Sequence, residues 1–304
     1  MALAVQRGRI ALGVWRLADP KISLASFASL FLGTCAATAA GPLSWGWLAL
    51  TVLGIFAIEV AKNASGELFD FDADTGVAVE DRSPFSGGKR VLVDGLLTRE
   101  QVRLIALIGY LLGAGTGLAI VLTREASILW VGMLGMACAY FYNASPVRLS
   151  YRGLGEAAVA LCYGPLIAAG AFLVQRGTLS VEVVAASVPL GLLIGAFLWI
   201  NEFPDYRADI AAAKRNLVVR MGRRAASRVF AGILGAAFVG MLLLPLAGAP
   251  WTVCLGVLGL PSAAWAARLA WRHPEETERL VPAQAATLSA FVLYALGAGI
   301  GLVV

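Results

Sequence analysis

Apolar segments of about 20 residues recur along this chain, and they limit its possible folds more than any other feature. A helix of about 20 residues is about 30 Å long, which matches the hydrocarbon core of a bilayer. Hydrophobic residues make up 59% of the sequence and charged residues 14%, whereas a soluble domain carries about 25% charged residues. We therefore predict an all-α membrane protein with no nucleic-acid partner, despite the formal net charge of +5.

The segments predict about nine transmembrane helices in one bundle. They cover residues 22–41, 44–65, 99–121, 126–144, 153–175, 181–202, 225–246, 250–271 and 283–304. Every Lys and Arg except Arg124 and Arg176 lies in the N-terminal segment, in loops after even-numbered spans, or at the adjoining span ends. Basic residues stay on the cytoplasmic side of a membrane. We therefore predict a multi-pass protein of the cell inner (plasma) membrane, with Met1 in the cytoplasm and inner loops 66–98 and 201–225 forming a polar cap.

Both long inner loops begin with acids in the same Glu-x-x-Asp-x-x-x-Asp spacing. Acids at i, i+3 and i+7 fall on one face of a helix, where they repel one another unless a cation lies between them. Oxygen ligands favour Mg²⁺, which commonly shares its coordination with a substrate phosphate. Solvated loop charges would explain one such cluster, but they do not explain two at the inner ends of spans. We predict a Mg²⁺–diphosphate site, in which the candidate ligands are Glu67, Asp70, Asp74, Asn201, Glu202, Asp205 and Asp209.

Basic residues on the same side of the membrane are candidates to neutralise the diphosphate. Taken alone, each is better explained as a cytoplasmic anchor. Gly87-Gly88 precedes two of them, and paired glycines allow close approach of the backbone to an anion. The order does not match the G-x-x-x-x-G-K-[ST] loop of nucleotide-binding proteins. The candidates are Lys89, Arg90, Arg148, Arg152 and Lys214.

The bundle interior can hold the lipid tail of an apolar diphosphate, and three further residues are candidates for the end of the site at which its carbon would react. Loss of diphosphate leaves an allylic cation, and an aromatic ring such as that of Tyr142 shields a cation through its π face. Glu156, inside the fifth predicted span, is a candidate acid–base group, although helix packing explains it equally well. Asn63 lies about one turn before the first acidic stretch and is a candidate polar contact for an acceptor.

Over nearly its full length, the chain resembles the UbiA superfamily of intramembrane prenyltransferases. Its first acidic stretch, residues 66–74, resembles that family's N-D-x-x-D-x-x-x-D motif, and residues 205–209 resemble its D-x-x-x-D motif. Gly66 stands in place of the leading Asn of the first motif, and Glu67 in place of the next Asp. Within the superfamily, the chain is most similar to the 1,4-dihydroxy-2-naphthoate polyprenyltransferases of menaquinone biosynthesis. The stretches that carry this similarity are 151–156, 163–166, 174–177, 201–205 and 214–217.

The resemblance implies a single transmembrane prenyltransferase domain over residues 1–304. It implies Mg²⁺-dependent transfer of a polyprenyl group from its diphosphate to an aromatic small-molecule acceptor, which in the menaquinone branch also loses its carboxylate. By position, Asp70, Asp74, Asp205 and Asp209 would bind the Mg²⁺–diphosphate, and Lys214 and Arg148 would support it.

Three alternatives stay open at this point. They are a UbiA-type enzyme with another acceptor, a membrane terpene cyclase, and a lipid or ion transporter. A transporter would place its polar sites near the bilayer midplane, in broken helices, whereas the acids here cluster at one rim. The sequence indicates neither the length of the prenyl chain nor the oligomeric state.

Overall fold

The structure is a computed structural model that describes residues 2–304, with the side chains of residues 2–5 and 7 left aside. Met1, predicted to be cytoplasmic, lies outside the described residues. Helices are the only regular secondary structure of the described chain, which contains no β-strand. Its α-helices are α1 (Ala2–Ala18), α2 (Pro20–Ala39), α3 (Trp45–Phe69), α4 (Phe71–Thr75), α5 (Arg99–Thr123), α6 (Ile128–Phe141), α7 (Gly155–Leu161), α8 (Ile167–Arg176), α9 (Val181–Asn201), α10 (Tyr206–Ala211), α11 (Leu217–Met221), α12 (Arg223–Leu243), α13 (Leu260–Arg272) and α14 (Thr277–Val303). Short 3₁₀ segments cover Val79–Asp81, Leu149–Tyr151, Leu244–Ala247 and Trp251–Gly259, and Cys162–Leu166 forms a π-helical turn.

Eight helical segments of the described chain are long and apolar enough to cross a membrane. They are Gly8–Ala39, Trp45–Phe69, Arg99–Thr123, Gly155–Arg176, Val181–Asn201, Arg223–Ala247, Trp251–Arg272 and Thr277–Val303. The predicted span 126–144 is shorter in the structure, because its helix α6 has only 14 residues and is therefore about 21 Å long. The all-α, multi-pass membrane fold is confirmed. The count of nine spans and the cytoplasmic N-terminus stay predictions.

Helix α9 lies at the centre of the bundle. It packs against α7, α12, α14 and the π-helical turn, and Leu190, Leu193 and Ile200 on it are fully buried. Small residues let membrane helices approach closely. A Cβ on Gly164 in the π-helical turn would lie 2.5 Å from the Cα of Gly191 in α9, so the contact requires a glycine at position 164.

The π-helical turn interrupts the helix formed by α7 and α8. Pro165 lies inside it and has no N–H to donate, so the regular α-helical hydrogen bonding is broken there. The Ser29 hydroxyl on α2 donates to the carbonyl of Tyr163 in this turn. The Tyr163 side chain lines the interior cavities of the bundle.

The two acidic stretches occupy equivalent positions at the ends of α3 and α9. The prediction that each forms one continuous helical face is wrong, because α3 ends inside the first stretch and α9 ends just before the second. Helix α3 ends at Phe69, and Asp70 has non-helical dihedral angles (φ −102°, ψ 10°). Helix α9 ends at Asn201, three residues before Pro204, where the ring excludes the regular helical hydrogen bond. The short helices α4 and α10 that follow pack against each other, so the two stretches meet at one end of the bundle.

Helix α1 lies over the loop between α4 and α5. Arg9 Nη2 donates to the carbonyl of Gly95 over 2.7 Å, and Arg16 forms an ion pair with Asp94 over 2.6 Å. The side chain of Trp15 on the same helix is 62% exposed. These contacts connect the N-terminal helix to the loop that follows the first acidic stretch.

We predict that Gly164→Ala destabilises the protein, because its new Cβ meets the backbone of α9. Overpacking of this kind costs about 1–3 kcal/mol. Gly235→Ala in α12 is the matched control: nothing lies within 4 Å of its Cβ position, and Ala favours a helix by about 1 kcal/mol over Gly. Denaturant-induced unfolding in detergent measures both. Equal stability of the two variants would contradict the close contact.

Candidate active site

A cavity of about 200 Å³ lies where the two acidic stretches meet. Its walls include the C-terminal ends of α3 and α9, parts of α4 and α10, and the glycine loop that precedes Lys89. The structure brings all seven predicted metal ligands to this one cavity. They are Glu67, Asp70, Asp74, Asn201, Glu202, Asp205 and Asp209.

Hydrogen bonds from the surrounding chain fix carboxylates of the first stretch. Glu67 is buried, and its Oε2 accepts a bond of 3.1 Å from the backbone N–H of Leu92. Asp70 Oδ1 accepts a bond of 2.9 Å from the hydroxyl of Tyr151. These bonds leave further oxygen atoms of both carboxylates available to a cation, because each ionised carboxylate offers about four lone-pair sites.

The glycine loop contacts the acids themselves. The backbone N–H of Gly87 donates to Asp205 Oδ2 over 3.0 Å. Gly88 has a φ of +73°, and a Cβ on it would lie 2.6 Å from Asp74 Oδ1. The sequence predicts that these glycines approach an anion, and in the structure the anions that they contact are the Asp74 and Asp205 carboxylates.

Crowding of the carboxylates raises their pKa values. Burial, followed by the charges of Glu67 and Asp70, raises the pKa of Asp74 to about 8. Burial, followed by the charge of Asp209, raises the pKa of Asp205 to about 7. In both cases the negative form is destabilised by poor solvation and like charge. A cation between the two stretches would remove this cost.

Lys214 is the basic residue most closely tied to the acids. Its Nζ lies 3.4 Å from Asp209 Oδ1, and Asn216 Nδ2 donates to the other oxygen of Asp209 over 2.7 Å. Burial opposes the ammonium charge, but Asp209 and Asp70 raise the pKa of Lys214 well above its usual value. Lys214 therefore keeps a positive charge beside the acidic cavity.

The oxygen donors of the cavity fit a cation that is shared with a substrate. Asn201 Oδ1, Glu202 Oε2 and Asp205 Oδ1 are buried and have no hydrogen-bond partner among the described residues. No three acidic, His or Cys side chains of the described chain converge tightly enough to enclose a metal ion by themselves. Mg²⁺ rarely needs such a cage, because it retains waters and takes the remaining ligands from phosphate oxygens.

The five predicted diphosphate-binding bases separate into two groups. Lys89 and Lys214 line the acidic cavity, although Lys89 also forms an ion pair with Asp19. The structure does not bring Arg90, Arg148 and Arg152 to the cavity wall, because their guanidinium groups have other contacts. Arg90 Nη1 donates to the carbonyl of Asp74, Arg152 Nη2 donates to that of Pro146, and Arg148 lies 3.4 Å above the ring of Tyr151.

The three candidate residues for the reacting end have different surroundings. Asn63 lines the acidic cavity, but its Nδ2 donates to the carbonyl of Leu17 over 2.8 Å. Glu156 lies outside the cavity, and its Oε1 accepts a bond of 2.6 Å from the N–H of Leu217, which positions the start of α11. Tyr142 lines the cavity and lies under the ammonium group of Lys62, with Nζ 5.5 Å from the ring centre.

A second, larger cavity of about 440 Å³ adjoins the acidic one, and its lining is mainly apolar. Lys62, Tyr142, Val159 and Tyr163 line both cavities, so they mark the boundary. Sequence reasoning missed Lys62 and its neighbour Glu59, which also lines the larger cavity. The available signal was their charge inside the predicted span 44–65, where an ionisable group is costly.

Sequence reasoning also missed Asn143, which fills the space beside Gly66. A Cβ on Gly66 would lie 3.0 Å from Asn143 Nδ2. Asn143 Oδ1 accepts a bond of 2.9 Å from Ser150 Oγ, so its amide nitrogen faces α3. Both Gly66 and Asn143 line the acidic cavity. The side-chain amide of Asn143 therefore occupies the space that a side chain at position 66 would need.

The fold and the two adjoining cavities define a multi-pass membrane protein with an acidic site at one rim and an apolar chamber beside it. The sequence profile of the UbiA prenyltransferase family matches residues 26–291. The chain belongs to this family, and it is an enzyme that transfers prenyl groups.

Named relatives and solved structures agree with this assignment. The chain is 30% identical over 251 residues to the 1,4-dihydroxy-2-naphthoate octaprenyltransferase of Mycobacterium tuberculosis, covering 82% of this chain and 83% of the relative. It is 25% identical over 240 residues to the enzyme of that name from Bacillus subtilis, covering 78% and 76%. A UbiA homolog from Aeropyrum pernix K1 has the same fold, with a TM-score of 0.67 at 18% identity over 92% of this chain and 97% of that one. A homolog from Archaeoglobus fulgidus bound to GPP and Mg²⁺ gives 0.61 at 16% identity over 94% and 99%.

We predict that the effect of Gly66→Ala depends on Asn143. In the wild-type background, the new Cβ pushes the amide away and strains its hydrogen bond with Ser150, which is worth about 1 kcal/mol. That loss offsets the gain of about 1 kcal/mol expected for Gly→Ala in a helix. In an Asn143→Ala background only the gain remains, so Gly66→Ala should stabilise the protein by about 1 kcal/mol more there. A double-mutant cycle of unfolding free energies measures this coupling, and a value near zero would contradict it.

Proposed function

We propose that this enzyme transfers a polyprenyl group from its diphosphate to an aromatic acceptor in a Mg²⁺-dependent reaction, with 1,4-dihydroxy-2-naphthoate as the acceptor. The observation that carries this proposal is that both acidic stretches line one cavity beside an apolar chamber. Relatives named as 1,4-dihydroxy-2-naphthoate octaprenyltransferases support the acceptor. The Archaeoglobus fulgidus homolog bound to GPP and Mg²⁺ supports the cofactor.

The acids are proposed to hold the head group of the prenyl substrate. When bound, Mg²⁺ would supply the positive charge that stabilises the departing diphosphate. Lys214 and Lys89 add positive charge at the same cavity, while Arg148 acts indirectly by stacking on Tyr151. Asp70, Asp74, Asp205 and Asp209 are the proposed principal ligands, and Glu67, Asn201 and Glu202 offer further oxygen atoms.

The surrounding chain holds these acids in position before the substrate binds. The Tyr151 hydroxyl holds one oxygen of Asp70, and the Gly87 backbone holds one oxygen of Asp205. The unpartnered Oδ1 of Asp205 is thereby left for the substrate side of the cavity. Carboxylates fixed before the substrate arrives need little reorganisation as charge develops on the leaving group.

The apolar chamber is proposed to hold the prenyl tail and to keep water from the reacting carbon. The tail would enter from the lipid bilayer, since the bundle is immersed in it. We also propose that residues 1–304 act as one domain in the cell inner (plasma) membrane, with the acidic cavity facing the cytoplasm. The confinement of nearly all Lys and Arg to the side of the two long loops supports that orientation.

We predict that Asp70→Asn and Asp205→Asn each reduce prenyl transfer by at least about 100-fold, because each removes a charged ligand of the metal–diphosphate. Asp72→Asn is the matched control: it removes one charge from the same acidic stretch, but Asp72 is exposed and lies outside the cavity. The rate of transfer by the purified, folded variants measures the effect. Near-normal rates for either cavity variant would refute the proposed role of the acids.

We also predict that membranes containing the enzyme convert labelled polyprenyl diphosphate to a prenylated naphthalene only when dihydroxynaphthoate is added. EDTA should stop the conversion, and added Mg²⁺ should restore it, because the diphosphate needs a counter-ion to leave. Product identification by mass spectrometry separates the alternatives. A cyclised hydrocarbon formed without acceptor would indicate a terpene cyclase, and full activity in EDTA would contradict the metal requirement.

A further inference from the structure

Glu59 is a buried acid that the diphosphate site does not use. It lies on α3 within the membrane-spanning part of the chain, and its side chain is only 6% exposed. It lines the apolar chamber, and its Oε1 has no hydrogen-bond partner among the described residues. A carboxyl group without a hydrogen-bond partner inside the membrane raises the free energy of the protein. A ligand that forms a hydrogen bond with it would offset part of that free energy.

Polar groups on three elements surround this carboxyl. Ser26 on α2 is 2% exposed, and its hydroxyl is also without a hydrogen-bond partner among the described residues. Tyr163 faces Glu59 from the π-helical turn, and Lys62 lies one helical turn away on α3. Ser23 is close as well, but its hydroxyl donates to the carbonyl of Ala18. The result is a polar patch with spare hydrogen-bonding capacity in the wall of an apolar chamber.

The patch lies at the boundary between the two cavities. Lys62 and Tyr163 line both of them, and Glu59 lines the apolar one beside them. With its diphosphate among the acids and its tail in the apolar chamber, a prenyl substrate must place its reacting C1 carbon at this boundary. The acceptor must approach C1 there, within reach of Glu59.

We propose that Glu59 binds a phenolic hydroxyl of the aromatic acceptor and takes its proton during the transfer, an inference that rests on the proposed function. The ring carbon next to that hydroxyl forms a bond to C1, while the C1–oxygen bond breaks and its electron pair leaves on the diphosphate. The hydroxyl proton passes to Glu59. The ring carbon then loses its hydrogen as a proton to the released diphosphate, or its carboxylate as carbon dioxide. The electron pair of that broken bond restores the aromatic ring, and the oxygen recovers a proton from Glu59.

Glu59 therefore selects acceptors that carry a free hydroxyl beside the reacting carbon. An unpaired carboxyl oxygen accepts a hydrogen bond, and a site built to pair with a hydroxyl rejects analogues that lack it, because the buried group is then left unsatisfied. The hydroxyls of Ser26 and Tyr163 lie beside the carboxyl and are further polar contacts for the same acceptor.

The test compares Glu59→Gln, which keeps the shape but cannot take the proton, with Glu182→Gln on the exposed first turn of α9. Loss of a general base lowers the rate by about 100-fold or more. We expect kcat/KM for dihydroxynaphthoate to fall by that factor in Glu59→Gln, while the Kd of the labelled prenyl diphosphate changes less than about twofold. Glu182→Gln should behave as wild type. Unchanged acceptor kinetics, or an equal loss of diphosphate binding, would overturn the proposal.

The two mono-methyl ethers of dihydroxynaphthoate provide a second arm that needs no variant. One of them lacks the hydroxyl that Glu59 binds. We expect wild type to use this ether about 100-fold more slowly than dihydroxynaphthoate. With this ether as acceptor, wild type should be no faster than Glu59→Gln. Efficient use of both ethers by wild type would overturn the proposal even if Glu59→Gln fails to fold. Wild-type enzyme that consumes no aromatic acceptor would instead refute the proposed function, so the two failures are distinguishable.

Discussion

Mutual repulsion among carboxylates buried at one rim of the bundle is the constraint on which the rest of the site depends. Burial and like charge raise the pKa values of Asp74 and Asp205 far above those of solvated acids. Such an arrangement is costly for a membrane protein unless a cation and an anionic substrate join it. The backbone of Gly87 and the hydroxyl of Tyr151 nevertheless hold Asp205 and Asp70 in place, so the fold keeps these acids together although their mutual repulsion opposes it.

Interruption of the two long helices is what makes the acidic cavity possible. A continuous helix would carry its acids along a straight face and could not return them toward a second stretch. Helices α3 and α9 instead end at Phe69 and Asn201, and the short helices α4 and α10 pack against each other. The glycine loop then fits against the acids, because Gly88 has no Cβ to collide with Asp74.

The boundary between the acidic cavity and the apolar chamber joins two environments of opposite character. In the proposed reaction an amphiphilic substrate would extend across it, and the chemistry would occur where its charged head meets its apolar tail. Lys62 and Tyr163 line both cavities at this boundary. Glu59 lies beside them, and its Oε1 has no hydrogen-bond partner among the described residues. A polar patch at this depth can act strongly on a bound acceptor, since little water is present to weaken its interactions.

The sequence by itself determined the membrane fold and the acidic stretches, because both follow from local pattern. Long apolar runs must form helices in lipid, and the repeated spacing of Glu67 and Glu202 with their aspartates is readable without a structure. Only the tertiary structure decided that the stretches line one cavity, that Arg90 and Arg152 do not line it, and that Asn143 fills the space beside Gly66. These outcomes depend on contacts between segments far apart in the chain, and side-chain spacing within one segment carries no information about such contacts.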